Sequence, residues 1–232
     1  MAAPPVGGDS GPLPWPPPAP RSPTEDTVAD HKAGLRRHFR ALRRASLPVL
    51  QPALAAMARA CIPALLPPQL RLGLYWPLRD EPDLNPLAAG GLGEVLEGRL
   101  ALPAVPAGHG GLPDGRLLYL PWDGTPPAGR DACGIPAPLP VDGRPPAPLA
   151  PGSLGLLLVP ALAIDRRGIR LGSGGGWYDR LRADPVWRAV PALAVLSSAC
   201  VTDVLPADPW DVPFDGWLDE HGVHPITGAA DA

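Results

Sequence analysis

The feature that most constrains this chain is an apolar run, Leu154 to Val159, followed downstream by four glycines within five residues, Gly172 to Gly176. The run has the composition of a strand buried on both faces of a parallel sheet, and a charged, helix-like segment follows over Asp179 to Arg188. Strand, glycine loop and helix start, in that order, are the ingredients of an anion site. With no side chains in the way, the backbone approaches a ligand closely and turns its N–H groups toward it. Phosphate is the first expectation. A flexible linker is the alternative reading of a glycine cluster, but linkers keep polar company, whereas Leu171, Trp177 and Tyr178 press directly on these glycines. The spacing is not that of a dinucleotide fingerprint, because Trp177 interrupts it, nor of a P-loop, because no Gly-Lys-Ser/Thr follows.

The rest of the chain sets that loop in an α/β context. Val28, Leu35, Phe39 and Leu42 recur at helical spacing and predict an amphipathic helix over about 24–46, opened by a capping-box-like Ser22 to Glu25 with Pro23 just inside. A second helix is expected over Gln51 to Leu65, ended or kinked at Pro63, and a third from Asp83 to about Leu96. Arg71 to Trp76, Leu100 to Val105, Leu117 to Trp122, Ala192 to Leu196 and Gly216 to Leu218 read as strands, and residues 123–152 as a long loop or flap. Alternating helices and strands predict an α/β fold with a mainly parallel sheet. Residues 1–22 form a Pro/Gly/Ala-rich extension expected to be disordered, 23–222 one domain, and 223–232 a flexible tail.

Composition narrows the function classes. A length of 232 residues with 45% hydrophobic content suits one globular domain with a sizeable core. No segment offers about 18 uninterrupted apolar residues, so no membrane partner is expected, and the N-terminus lacks the charge and apolar pattern of a signal peptide. Cys61, Cys133 and Cys200 are far apart and in no metal spacing, which points to a reduced, cytoplasmic setting. A net charge of −3 gives no nucleic-acid footprint.

Several residues could carry chemistry. Lys32, Arg36, Arg40 and Arg43 form a stripe along the first helix. Such a stripe is ordinarily a solvated face; the functional reading is that Lys32 and Arg36 reach an anion held by the glycine loop. Asp179 and Asp211 each suit a cap or a turn, or together share a cation, since Mg²⁺ takes one or two carboxylates plus phosphate oxygens and waters. Glu81 follows a strand at a place where α/β sites gather ligand contacts, or is a loop carboxylate paired with Arg79. His31, His38, His109, His221 and His224 stand in no catalytic or metal pattern and read as surface residues.

Val159 to Arg180, containing the glycine loop, resembles the signature of the 5-formyltetrahydrofolate cyclo-ligase (methenyltetrahydrofolate synthetase) family. Lys32 to Arg36 is similar to the family's N-terminal Lys-x-x-Leu-Arg, Tyr75 to Glu81 to its strand leading to Asp-Glu, and Gly134 to Pro136 and Leu205 to Asp211 to later blocks, so that the resemblance covers about 30–222. It implies a three-layer, Rossmann-like (sugar-phosphate isomerase or CoA-transferase-like) sheet flanked by helices. It also implies an ATP- and Mg²⁺-dependent closure of 5-formyltetrahydrofolate to 5,10-methenyltetrahydrofolate through a phosphorylated formyl group; the chain is expected to act as a monomer.

By the same resemblance, Lys32, Arg36, Arg170, Leu171, Gly172, Ser173, Gly174, Gly175, Gly176, Trp177 and Tyr178 contact ATP. Arg36, Trp76, Glu81 and Ser173 to Trp177 face the folate, Asp179 and Asp211 hold Mg²⁺, and Tyr178, Lys32 and Arg170 serve the transfer. The chain departs from the family pattern at Ser173, where Arg is frequent, and at Trp177, Trp210, Ala137 and Cys200, in places of Tyr, His, Glu and Gln. These departures motivate an alternative, a non-catalytic folate or nucleotide binder; a sugar-phosphate enzyme on a similar sheet is a third reading, by fold analogy alone.

Overall fold

A computed structural model describes residues 23–86, 96, 98–140, 142 and 144–226. The expected N-terminal extension, the last residues of the chain and most of the helix expected over Asp83 to Leu96 lie outside the described residues. The chain opens with helix α1 (Pro23–Leu65) and strand β1 (Arg71–Gly73). Then come β2 (Leu100–Ala104), β3 (Leu118–Trp122), the two-residue strands β4 (Gly129–Arg130) and β5 (Pro136–Ala137), β6 (Leu154–Pro160), β7 (Ala163–Asp165) and β8 (Arg170–Leu171). Helices α2 (Trp177–Ala183) and α3 (Pro185–Arg188) precede β9 (Ala192–Val195), β10 (Val201–Thr202), β11 (Gly216–Asp219) and β12 (Gly222–Pro225).

Seven strands form the central sheet in the order β12-β11-β9-β6-β1-β2-β3. Every pairing from β11 to β2 is parallel, while β12 and β3 close the two edges antiparallel. The mainly parallel α/β fold is therefore present. Side-chain alternation splits most of the core into two clusters: Leu157 and Val159 of β6 with Ala192 and Ala194 of β9 in one, Leu156 and Leu158 with Leu193 and Val195 in the other. Phe39, from the first half of α1, joins the first cluster; Leu54, Ala58 and Ile62, from the second half, join the other.

α1 corrects the expectation of two helices, running unbroken through Pro48, Pro52 and Pro63. Each proline removes one i→i−4 hydrogen bond, but all three lie on the exposed side of the helix, so the freed carbonyls face water. Arg43 before them and Leu54, Ala58 and Ile62 after them are buried and hold both halves to the same domain. Within Val28–Leu65 the helix reaches a mean hydropathy of 1.3, enough by length and composition for a span. Charged and polar residues interrupt that stretch, so it is not a continuous apolar run.

The helix expected over Asp179 to Arg188 is two short ones. Pro185 disfavours helical geometry at Asp184, which instead caps α3 by accepting from the Val186 N–H at 2.9 Å. The tail expected to be flexible from residue 223 contributes β12, whose His224 stacks on Trp217 at 4.9 Å between ring centroids and bonds Asp219 at 2.9 Å. His224 is thus half-buried rather than a surface residue.

Candidate active site

A cleft of about 710 Å³ opens beyond the carboxyl ends of β1, β2 and β6, where an open parallel sheet gathers ligands. A small second sheet, β10-β7-β8, delivers the glycine loop to it. The pin of that arrangement is Asp165, which is fully buried. Its carboxylate accepts from the N–H groups of Arg167 and Ile169 across the β7–β8 turn, at 2.9 and 3.0 Å, and from Leu205 N–H at 2.9 Å. One side chain thus fixes the glycine loop relative to the 205–211 segment.

Each residue predicted for the site lines this cleft: Lys32, Arg36, Trp76, Glu81, Arg170 to Asp179, and Asp211. Asp208 and Tyr75 line it too and were not singled out by sequence. The signal for Asp208 was present, two carboxylates three residues apart inside the Leu205 to Asp211 block.

Lys32 is buried on α1, its Nζ 2.6 Å from Asp208 Oδ2 and 2.5 Å from Asp211 Oδ2. The two carboxylates are held together locally, because Asp208 N–H donates to Asp211 Oδ2 at 2.8 Å and Asp211 N–H to the Asp208 carbonyl at 3.0 Å. One turn on, Arg36 Nε donates to the Gly172 carbonyl at 3.1 Å. The first two members of the stripe on α1 therefore face the loop and the 208–211 segment rather than solvent. Arg43 is buried elsewhere, against the Ala161 carbonyl at 3.4 Å.

In the loop itself, Gly176 adopts φ +62°, a left-handed conformation that other residues rarely take, and from there the chain enters α2. Arg170 lies beneath, 5% exposed, donating to the Pro160 carbonyl at 3.0 Å and meeting Asp179 Oδ2 at 3.5 Å. Its guanidinium sits 5.4 Å from the Tyr178 ring centroid. Burial and the nearby Glu81 carboxylate push the Tyr178 phenol up, so it stays a neutral O–H donor. Arg180 covers Trp177 at 4.5 Å.

The opposite wall is built by the turn after β1. Tyr75 Oη donates to the Pro82 carbonyl at 2.6 Å, and Glu81 N–H to the Leu78 carbonyl at 2.7 Å. Glu81 Oε2 accepts from Leu78 N–H at 3.0 Å, and Asp80, not Glu81, takes an arginine, Arg44. The Arg79 pairing considered for Glu81 does not occur. Burial pushes the Glu81 carboxyl above the usual range, opposed by the Leu78 hydrogen bond and by Arg43 and Arg170. Trp76 stands edge-on to Trp122, ring centroids 6.4 Å apart.

Fold and site together define an α/β protein with a glycine-loop cleft at the carboxyl ends of its parallel strands. The sequence profile of the 5-formyltetrahydrofolate cyclo-ligase family matches residues 28–219, and the chain belongs to that family. A 5-formyltetrahydrofolate cyclo-ligase of Mycolicibacterium smegmatis is 38% identical over 105 residues, covering 38% of this chain and 54% of that relative, about half its length. The NMR structure of Aquifex aeolicus 5,10-methenyltetrahydrofolate synthetase is similar with a TM-score of 0.62 at 27% identity, over 87% of this chain and 95% of that one. A 5,10-methenyltetrahydrofolate synthetase from Mycoplasma pneumoniae, at 21% identity and a TM-score of 0.57 over 82% and 98%, shares the fold.

Proposed function

We propose that this protein closes 5-formyltetrahydrofolate to 5,10-methenyltetrahydrofolate at the expense of ATP, acting as a monomer in the cytoplasm. The observation that carries this reading is the convergence on one cleft of an anion wall (Lys32, Arg36, Arg170 and the glycine loop) and an aromatic, desolvated wall (Tyr75, Trp76, Glu81). Convergence within a single chain supports the monomer. Free thiols at Cys61, Cys133 and Cys200 support a reducing compartment.

In the first step the N5-formyl oxygen bonds to the γ-phosphorus as the bond to the β-phosphate oxygen breaks, releasing ADP. Lys32, Arg36 and the N–H groups of Gly174 to Trp177 stabilise charge on the transferring group, and preorganised donors of this kind act where the charge develops. The neutral Tyr178 hydroxyl donates a hydrogen bond beside it. In the second step N10 adds to the formyl carbon and loses its proton, and the phosphate leaves with the former formyl oxygen. Trp76 and Glu81 orient the pterin so that N10 reaches that carbon. α2 is only seven residues long, so the loop N–H groups and the α1 cations, not a helix dipole, carry the anion.

The carboxylates fit a hard divalent cation. Asp211 Oδ2 and Asp179 Oδ2 are engaged by Lys32 and Arg170, while their Oδ1 atoms have no hydrogen-bond partner among the described residues. No ready-made cluster of three acidic, His or Cys ligands exists among the described residues, which suits Mg²⁺ arriving with the nucleotide. Mg²⁺ held by Asp179 and Asp211 would neutralise the β- and γ-phosphates.

The test is the absorbance of the methenyl product when purified protein meets ATP, Mg²⁺ and 5-formyltetrahydrofolate. Folded protein that gives no product sinks the reading. Ligand binding without phosphate release would instead establish the non-catalytic alternative.

A further inference from the structure

We propose that Phe214, outside the cleft, is a positioning residue that fixes Arg170 and, through it, the glycine loop, Asp179 and Tyr178. The proposal rests on the functional reading above. Phe214 is 1% exposed and has two guanidinium groups over its ring, Arg170 with Cζ 5.3 Å from the ring centroid and Arg182 with Cζ 5.0 Å from it. Such ring–cation contacts strengthen when they are desolvated. The Nε atoms of both arginines are buried without a hydrogen-bond partner among the described residues. A buried donor in that state is costly unless something electron-rich lies against it, and the faces of the Phe214 ring are within reach of both.

The far end of the stack is anchored. Arg182 donates to the Val190 carbonyl at 3.0 Å and the Pro213 carbonyl at 3.2 Å, and meets Asp215 Oδ2 at 3.4 Å. The near end is where the site begins. A side-chain carbon added at Gly172 would stand 2.8 and 2.9 Å from the two terminal nitrogens of Arg170, so the guanidinium lies directly against the loop and a side chain there would displace it. The same guanidinium meets Asp179 at 3.5 Å and the Tyr178 ring at 5.4 Å. Three parts of the site therefore take their position from one group, which also rests on Phe214.

Phe214→Leu keeps an apolar filler but removes the π system and leaves two like charges without the ring they share. Arg170 then samples positions in which the loop, Asp179 and Tyr178 are misaligned. Lys32 and Arg36 remain to bind the nucleotide, so the loss falls on kcat rather than KM. A ring–cation contact of this kind corresponds to about tenfold in rate.

The expected result for folded Phe214→Leu is a kcat lower by about tenfold, with both KM values within about twofold. In an Arg170→Gln background, adding Phe214→Leu should lower kcat no further, because the group through which it acts is gone. An unchanged kcat, a KM-only effect, or the same factor in both backgrounds overturns the proposal. Should Phe214→Leu fail to fold, Phe214→Met carries the same test. Wild-type protein that forms no methenyl product would refute the functional reading instead. The stack is then read from the Arg170 Nε–H resonance: ring-current-shifted and slow to exchange in wild type, neither in the variant, with an unshifted wild-type resonance overturning it.

Discussion

On the wall built by α1, the glycine loop and residues 205–211, the acidic groups meet cations at close range. Asp208 and Asp211 share Lys32 at 2.6 and 2.5 Å, and Asp179 meets Arg170 at 3.5 Å. On the wall built by residues 75–81, Glu81 makes no ion pair among the described residues, and burial pushes its carboxyl up. Under the proposed function, this difference would separate two ways of binding. A phosphate reaching the first wall finds cations already desolvated and aimed, so it exchanges with a carboxylate rather than ordering a loose side chain. A ring reaching the second wall supplies hydrogen-bond donors to a carboxylate that lacks enough of them, which rewards a specific polar edge.

The largest effect should follow from removing the cation that joins two carboxylates. Lys32→Ala is expected to lower turnover by about 10³-fold, as loss of a preorganised donor to the transferring group does. It also strands Asp208 and Asp211 side by side, so stability should fall by about 3 kcal/mol in urea unfolding. Lost turnover at full stability would show that the two carboxylates relax into water and that the first wall is not desolvated in advance. Asp179→Asn comes next, with turnover down about 10²-fold and a higher Mg²⁺ concentration needed for half-maximal rate. A normal Mg²⁺ dependence would remove Asp179 from the cation site.

Much of this was legible in the sequence, for identifiable reasons. The strand at Leu154 to Val159 and the glycine loop announced themselves because each depends on residue type over a short window. The contact between α1 and that loop could not be read, since it spans 136 residues between Arg36 and Gly172 and no local pattern encodes it. Only the family resemblance placed Lys32 and Arg36 there. Pro48 and Pro52 misled because helix propensity penalises proline without knowing which side of the helix faces water. Phe214 was invisible for a related reason: an aromatic between Pro213 and Asp215 reads as core, and its two arginine partners come from other segments.

A smaller effect tests the second wall through pH. The Glu81 carboxyl titrates higher in the folded protein than the ordinary ~4.3 of an unfolded chain, so the native state holds this proton more tightly. Stability contributed by protonated Glu81 is then fully present below the unfolded value and is lost as pH rises through the folded one. Wild type should therefore be more stable relative to Glu81→Gln at pH 4 than at pH 8, by urea midpoints at both. A difference that stays constant with pH would mean that burial does not hold this carboxyl above its ordinary range.

The smallest effect asks whether distance or burial makes the first wall different. Arg44 and Asp80 approach to 2.7 Å, nearly the 2.6 Å of Lys32 and Asp208, yet the Arg44 side chain is 57% exposed where that of Lys32 is 10%. Water screens an exposed pair and offers each partner a good alternative, so separation alone predicts little. Arg44→Ala should cost about 0.3 kcal/mol at low salt, nothing measurable near ~1 M salt, and leave turnover unchanged. A loss comparable to that of Lys32→Ala would mean that close charge pairs stabilise this protein wherever they occur. The distinction between the two walls would then rest on the number of pairs, not on their desolvation.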